Sequence, residues 1–200
     1  DIFSNEGNWN APFTLTVGHY YNPFFTIWSQ SFDGTFLPTG WGKVDVSGTT
    51  GDWLRATNTV HPAGGGTHSG AGLAYFNAYS ATSGNTTRLY QTAGSAIPSG
   101  AVTAQVSFWM YHDSANPTKT DRIDVQISTD GTNWNTPASS QFFRYDAVTG
   151  WQKHTVNINS YIGQNVRVGF LGTAKNGNDC HIDDVSLEYY GAETCAINIC

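Results

Sequence analysis

A period of two runs through this chain and constrains its fold more than any other feature. In "AVTAQVSFWMYH" (Ala101 to His112), Val102, Ala104, Val106, Phe108 and Met110 share one parity. Successive side chains on a strand point to opposite faces, so such a run offers one face to a core. "RIDVQISTDGTNW" puts Ile123, Val125 and Ile127 on one face and then turns at Asp130-Gly131, a hairpin signal. "WQKHTVNI" follows, then "NVRVGFLGT" with Val166, Val168 and Phe170 inward. Gly, Asn, Asp, Ser and Pro separate the runs, and no amphipathic helix interrupts them. Many short strands at regular spacing predict an all-β fold, a two-sheet antiparallel jelly-roll β-sandwich.

At 200 residues the chain is long enough for one domain with a sizeable core. The sandwich is expected over residues 28–190. Residues 1–27 form an N-terminal arm or edge strand, whose apolar side chains (Phe13, Leu15, Val17, Tyr20, Tyr21, Phe24, Phe25) suit pairing with this sandwich or with another subunit. Intermolecular pairing could build an extracellular filament. Residues 191–200 are a tail carrying two of the three Cys. The net charge of −6 and nine scattered Lys and Arg exclude a nucleic-acid surface or a polybasic membrane segment. No apolar run is long enough for a membrane span. The N-terminus lacks the charged and apolar regions of a signal peptide, as in a mature chain or an excised piece.

"NDCHIDDVSLEYY" (Asn178 to Tyr190) carries the sharpest chemical signal. Ile182 lies on one parity, Val185 and Leu187 on the other, so alternation breaks at Asp183 and Asp184. A bulge there would re-aim both carboxylates. A buried carboxylate needs a partner. Ca²⁺ would serve, and so would a turn in which Asp caps its own backbone. "HPAGGGTHSGAG" (His61 to Gly72) reads as a flexible loop without the Lys-Ser/Thr pair of a phosphate cradle. The six His form no HExxH, Ser69 lacks a nucleophile-elbow context, and Asp121 and Asp124 read as solvated acids at strand edges. No enzyme is expected. Trp53, Trp109, Trp134 and Trp151 read as core residues, although exposed ones could stack on sugars. Cys195 and Cys200 could close a small loop, and Cys180 is a buried thiol or a disulfide partner. Asn85 opens a sequon, Asn85-Thr86-Thr87, and is a glycosylation candidate on an exposed loop.

The order "SFDGTFLPTGW", "GDWLRAT", "SGAGLAYFNAYS", "VSFWMYHD", "DRIDVQISTDGTNW", "TGWQKHTVNI", "VRVGFLG" and "NDCHIDDVSLEYY" resembles the MAM-like jelly rolls of bacterial secreted proteins, namely the choice-of-anchor J and cleaved-adhesin families. The similarity runs from about Ser31 to Tyr190. It implies a secreted or cell-surface jelly roll with calcium held near the ends of the first and last strands. Asp33 matches the acid of the opening motif, Asn77 the Asn of "YFNAYS", and Asp183 and Asp184 the closing pair. The stretch "RLYQTAGSAIP" departs from the family pattern, so the loop from Arg88 to Pro98 is expected to differ. The resemblance implies an extracellular noncatalytic adhesion or assembly module whose partner is an extracellular protein or a glycan. A carbohydrate-binding module is the alternative.

Overall fold

The computed structural model describes residues 24–191. Twelve strands carry the fold: β1 (Phe25–Gln30), β2 (Trp41–Ser47), β3 (Trp53–Ala56), β4 (Leu73–Phe76), β5 (Thr86–Gln91), β6 (Ser95–Ala96), β7 (Ala101–His112), β8 (Arg122–Ser128), β9 (Gln141–Phe143), β10 (Gly150–Asn157), β11 (Asn165–Thr173) and β12 (Cys180–Gly191). One sheet runs β10-β7-β12-β4-β3, with β1 also paired to β12; the other runs β2-β5-β11-β8-β9, with β6 on β11. Every pairing is antiparallel. This is the two-sheet jelly-roll sandwich that the alternation predicts.

The alternating residues meet between the sheets. Ala104, Val106, Phe108 and Met110 from β7 are fully buried, as are Ile123, Val125 and Ile127 from β8 and Val166, Val168 and Phe170 from β11. Val102, on the same parity, is 54% exposed. Phe108 and Phe170 meet edge-to-face at 5.5 Å across the layers, a geometry worth about 0.5–1.5 kcal/mol beyond area burial. Trp53 is fully buried and its indole N–H donates to the Thr87 carbonyl at 2.9 Å, joining β3 of one sheet to β5 of the other. Phe76 fills the space beside Gly172, which has no room for a Cβ.

β1 begins at Phe25, so residues 25–27 of the expected arm lie in the first strand of this sandwich, and Gly191 of the expected tail closes β12. Residues 1–23, which carry the rest of the arm, and the tail cysteines Cys195 and Cys200 lie outside the described residues. Cys180 is a fully buried free thiol facing the core. Its pKa is raised well above the usual thiol value, first by burial and then by Asp121.

Asp121 and Asp124 are not solvated. They are 0% and 4% exposed, because β9 covers this side of β8 and makes β8 an internal strand. Asp124 accepts from Arg122 Nε at 3.1 Å, and Asp121 accepts from the Lys175 backbone N–H. Nearby, Arg144 is completely buried and donates to Asp113 at 2.6 Å and to the Ala115 and Asn116 carbonyls. This knot ties the loops at one end of the sandwich. The β4–β5 loop brings Asn85, half-buried, to donate to the Thr50 hydroxyl.

Candidate ligand-binding face

With the core parity of β7 and β12 settled, the opposite parity defines the outer face of the β10-β7-β12 sheet. Register sets it out in rows. Tyr75, His181, Tyr111 and Trp151 form one row across β4, β12, β7 and β10. Asp183, Trp109 and Lys153 form the next. Then come Ser186, Ser107 and Thr155, and finally Glu188, Gln105 and Asn157. The first rows are aromatic and the last are polar.

Residues 57–72 lie over the aromatic rows, so this segment is fastened rather than flexible. Val60 N–H donates to His181 Nε2 at 3.0 Å, Trp151 Nε1–H donates to the Gly65 carbonyl at 3.2 Å, and Gly65 N–H donates to the Thr59 hydroxyl. His68 stacks on Trp109 at 3.8 Å with the rings 16° apart. Of the four Trp expected in the core, only Trp53 is fully buried; Trp109, Trp134 and Trp151 are half-buried.

The parity break at the two acids is a β-bulge. Asp183 pairs with Trp109 and Ser186 with Ser107, so three steps on β12 face two on β7. Asp184 is the extra residue, with a left-handed φ of 45°. Neither carboxylate enters the core. Asp183 points to the outer face yet is 0% exposed, because the loop covers it. Its Oδ2 accepts the His68 and Ser69 backbone N–H groups at 2.9 and 3.3 Å, and its Oδ1 accepts the Asp184 N–H at 2.8 Å. Asp184 accepts from His68 Nδ1 at 2.6 Å and from the Ser69 hydroxyl at 2.9 Å. Asp33 grips the far end of the same loop through the Ala71 and Gly72 N–H groups and also accepts from the Ser31 hydroxyl. Those bonds, from Ala71 first, hold its carboxyl below the usual range.

Three of the four residues singled out as calcium ligands thus gather round one loop. Asn77 does not join them: its carboxamide oxygen accepts the Asp52 N–H at 2.6 Å, and its carbonyl accepts the Ser80 and Ala81 N–H groups. Carboxylate oxygens are the donors a hard cation takes, and Ca²⁺ collects about six to eight of them. Here they are aimed at N–H and O–H groups, and among the described residues no three His, Cys, Asp or Glu converge as ion ligands. The donor chemistry fits calcium, whereas the four-residue set does not assemble as one cage.

Where the loop ends, the polar rows open into a cleft of about 400 Å³. Its floor is Ser107, Ser186 and Glu188, and its walls include Trp109, Lys153, Asp184 and Gln30. Glu188 accepts from Ser186 at 2.6 Å, Gln105 at 2.8 Å and Ser107 at 3.0 Å. Burial opposes its charge, but these bonds outweigh it and hold the carboxyl below its ordinary range. A glycosidase acid needs the reverse shift. The cleft is lined mainly by hydroxyl, carboxamide, carboxylate and ammonium groups. Its signal was present in the sequence as the polar parity of "QVSFW" and "VSLEY", opposite the core parity.

Burial pushes His181 down to about 3, with His61 adding to it, and His154 down to about 4, with His112 adding to it. Burial lifts Asp183 to about 6. A depressed histidine stabilises the fold above its unfolded pKa and loses that contribution as pH falls. Asp183, being raised, favours the fold increasingly as pH falls from about 6 to its ordinary value. His112 is lowered by burial as well, while Asp124 and Asp179 are raised and act with Asp183, and the two histidine shifts to about 3 and about 4 are larger than that of Asp183. Stability measured by calorimetry is therefore expected to fall between about pH 6.5 and 4.5; a flat or rising profile contradicts these assignments.

Residues 25–167 match the family model described as Cleaved Adhesin Domain. A curated relative, Hemagglutinin A of Porphyromonas gingivalis (strain ATCC BAA-308 / W83), is 25% identical over 186 residues, which take in 83% of this chain and 8% of the relative. The chain therefore spans less than a tenth of that protein. Among solved structures, the K1 cleaved adhesin domain of Lys-gingipain from P. gingivalis W83 superposes with a TM-score of 0.57 at 17% identity, covering 82% of this chain and 98% of that one. The CBM22-1 xylan-binding domain of Paenibacillus barcinonensis Xyn10C superposes at 0.52 and 10% identity, covering 84% and 97%. At these identities the two structures share the fold.

Proposed function

The chain belongs to the Cleaved Adhesin Domain family, and from that premise we propose that it is a noncatalytic extracellular adhesion module that binds glycan in the cleft over Ser107, Ser186 and Glu188. The observation that carries this reading is the cleft's composition. It presents a carboxylate and several hydroxyls on two rigid adjacent strands, at the edge of an aromatic row. Sites on strands hold polar groups in place more rigidly than sites on loops. A xylan-binding domain of the same fold supports the ligand class. Placement at the cell surface or in the medium follows from the same family relation and is part of the proposal.

Calcium is a separate part of it. Asp33, Asp183 and Asp184 do not converge as they stand, so to hold the ion they would turn from the loop's N–H and O–H groups toward a common point, and the ion would neutralise three carboxylates that have His68 and Arg55 as basic neighbours among the contacts described.

An oligosaccharide array probed with the wild-type chain and with Glu188→Gln tests the cleft. The substitution keeps size but turns one acceptor oxygen into a donor facing other donors. A site built round hydrogen bonds loses affinity steeply when one is mispaired, and about tenfold or more is expected here. Wild-type retention on no oligosaccharide, or equal retention of the variant, overturns the cleft reading.

A further inference from the structure

A second surface feature stands apart from the cleft. Tyr79, in the tight turn after β4, is 58% exposed, the most exposed aromatic side chain among those described. Its ring lies parallel to that of His61, 6° apart and 4.1 Å between centroids. Both are fixed from behind by one acid. Asp179 accepts the Tyr79 backbone N–H at 2.9 Å through Oδ1 and His61 Nδ1–H at 2.9 Å through Oδ2, and its own N–H donates to the His61 carbonyl at 2.9 Å. Asp179 is 1% exposed, and burial raises its pKa.

A lone exposed aromatic is ordinary. A buried carboxylate whose two oxygens hold the two halves of an exposed stacked pair is not, because burying that charge is costly. It leaves no visible return in core packing, since both rings face solvent. What it does supply is a flat surface already held in one orientation, so little ordering cost remains for a ligand that stacks on it. The Asn77 carbonyl closes the turn that carries Tyr79, which gives this residue a scaffolding role.

We infer that Tyr79, backed by the parallel ring of His61, forms a second carbohydrate subsite, in which a pyranose ring lays its apolar C–H face on the outer face of Tyr79. The inference rests on the glycan-binding reading and extends it.

The test uses the same array with the wild-type chain, Tyr79→Ala, Tyr79→Trp and Glu188→Gln. Tyr79→Ala is expected to weaken binding about tenfold with unchanged melting, as for a truncated aromatic anchor, and Tyr79→Trp to retain it. If Tyr79→Ala binds like wild type while Glu188→Gln is impaired, the platform is overturned and the cleft stands. If Glu188→Gln binds like wild type while Tyr79→Ala is impaired, the platform stands and the cleft reading falls. If the wild-type chain binds no oligosaccharide, both fall.

Discussion

Asp183→Ala is expected to destabilise the domain by about 2–4 kcal/mol at neutral pH. Two opposed effects decide the size. The substitution strands three backbone N–H groups, those of His68, Ser69 and Asp184, and each costs about 1–3 kcal/mol where water cannot replace the acceptor. It also removes a buried charge whose pKa stands at about 6, a relief of about 3 kcal/mol at pH 7. The stranded amides win, because the loop they belong to is also held at Asp33 and cannot simply swing into solvent. Acidification provides the signature. Wild-type Asp183 favours the fold increasingly as pH falls below about 6, and the variant has no such gain. The deficit should therefore widen toward pH 4.5 in paired denaturant titrations. A deficit that stays constant or shrinks would falsify the clamp. The same melts settle the calcium proposal. Ca²⁺ at a hundredfold excess over its dissociation constant should stabilise the wild type by about 2.7 kcal/mol over EDTA, and should leave Asp183→Ala unmoved. Coincident wild-type curves would overturn the calcium proposal.

Arg144→Met is expected to cost more, about 3–5 kcal/mol, because it leaves a buried carboxylate without its counter-charge. Arg144 is fully enclosed, and Asp113, its partner, is 5% exposed. The Asp113 oxygen that takes the guanidinium also accepts from Asn178 at 3.1 Å and from the Ala115 N–H at 2.9 Å. The effect should reach beyond the knot, because Asn178 adjoins Asp179, which positions His61 and Tyr79. The double variant Arg144→Met with Asp113→Asn should recover part of the loss, since the stranded charge is then gone. A double variant no more stable than Arg144→Met would show that the deficit comes from lost packing or backbone bonds instead.

How much of this was legible beforehand depends on whether the cause was local. Val106, Phe108, Val168 and Phe170 declared their burial by parity, which a strand imposes residue by residue. The bulge was legible for the same reason, as a break between Ile182 and Val185. Its partner was not. A cation and a set of loop amides satisfy a carboxylate equally well on paper, and only the fold reveals that His68 and Ser69 return to β12 while Ala71 and Gly72 return to Asp33. Asp121 and Asp124 looked solvated because charge suggests a surface. β8 turned out to be internal, so the chain supplies Arg122 and a loop amide for them. The segment from His61 to Gly72 looked mobile from its glycines, yet those glycines let the backbone lie close against Tyr111 and Trp151. The polar parity of β7 and β12 was visible all along. Pairing Ser107 with Ser186, and hence the cleft, needed the register across two strands some 80 residues apart.

The most direct measurement is an amide chemical-shift map of the isotope-labelled chain, titrated with the oligosaccharide that the array retains best. Glycan binding in the cleft predicts the largest shifts at Gln105, Ser107, Ser186 and Glu188, saturating together with one dissociation constant. Saturable shifts confined to the opposite sheet, or no shifts at these four residues while the sugar is bound, would contradict it.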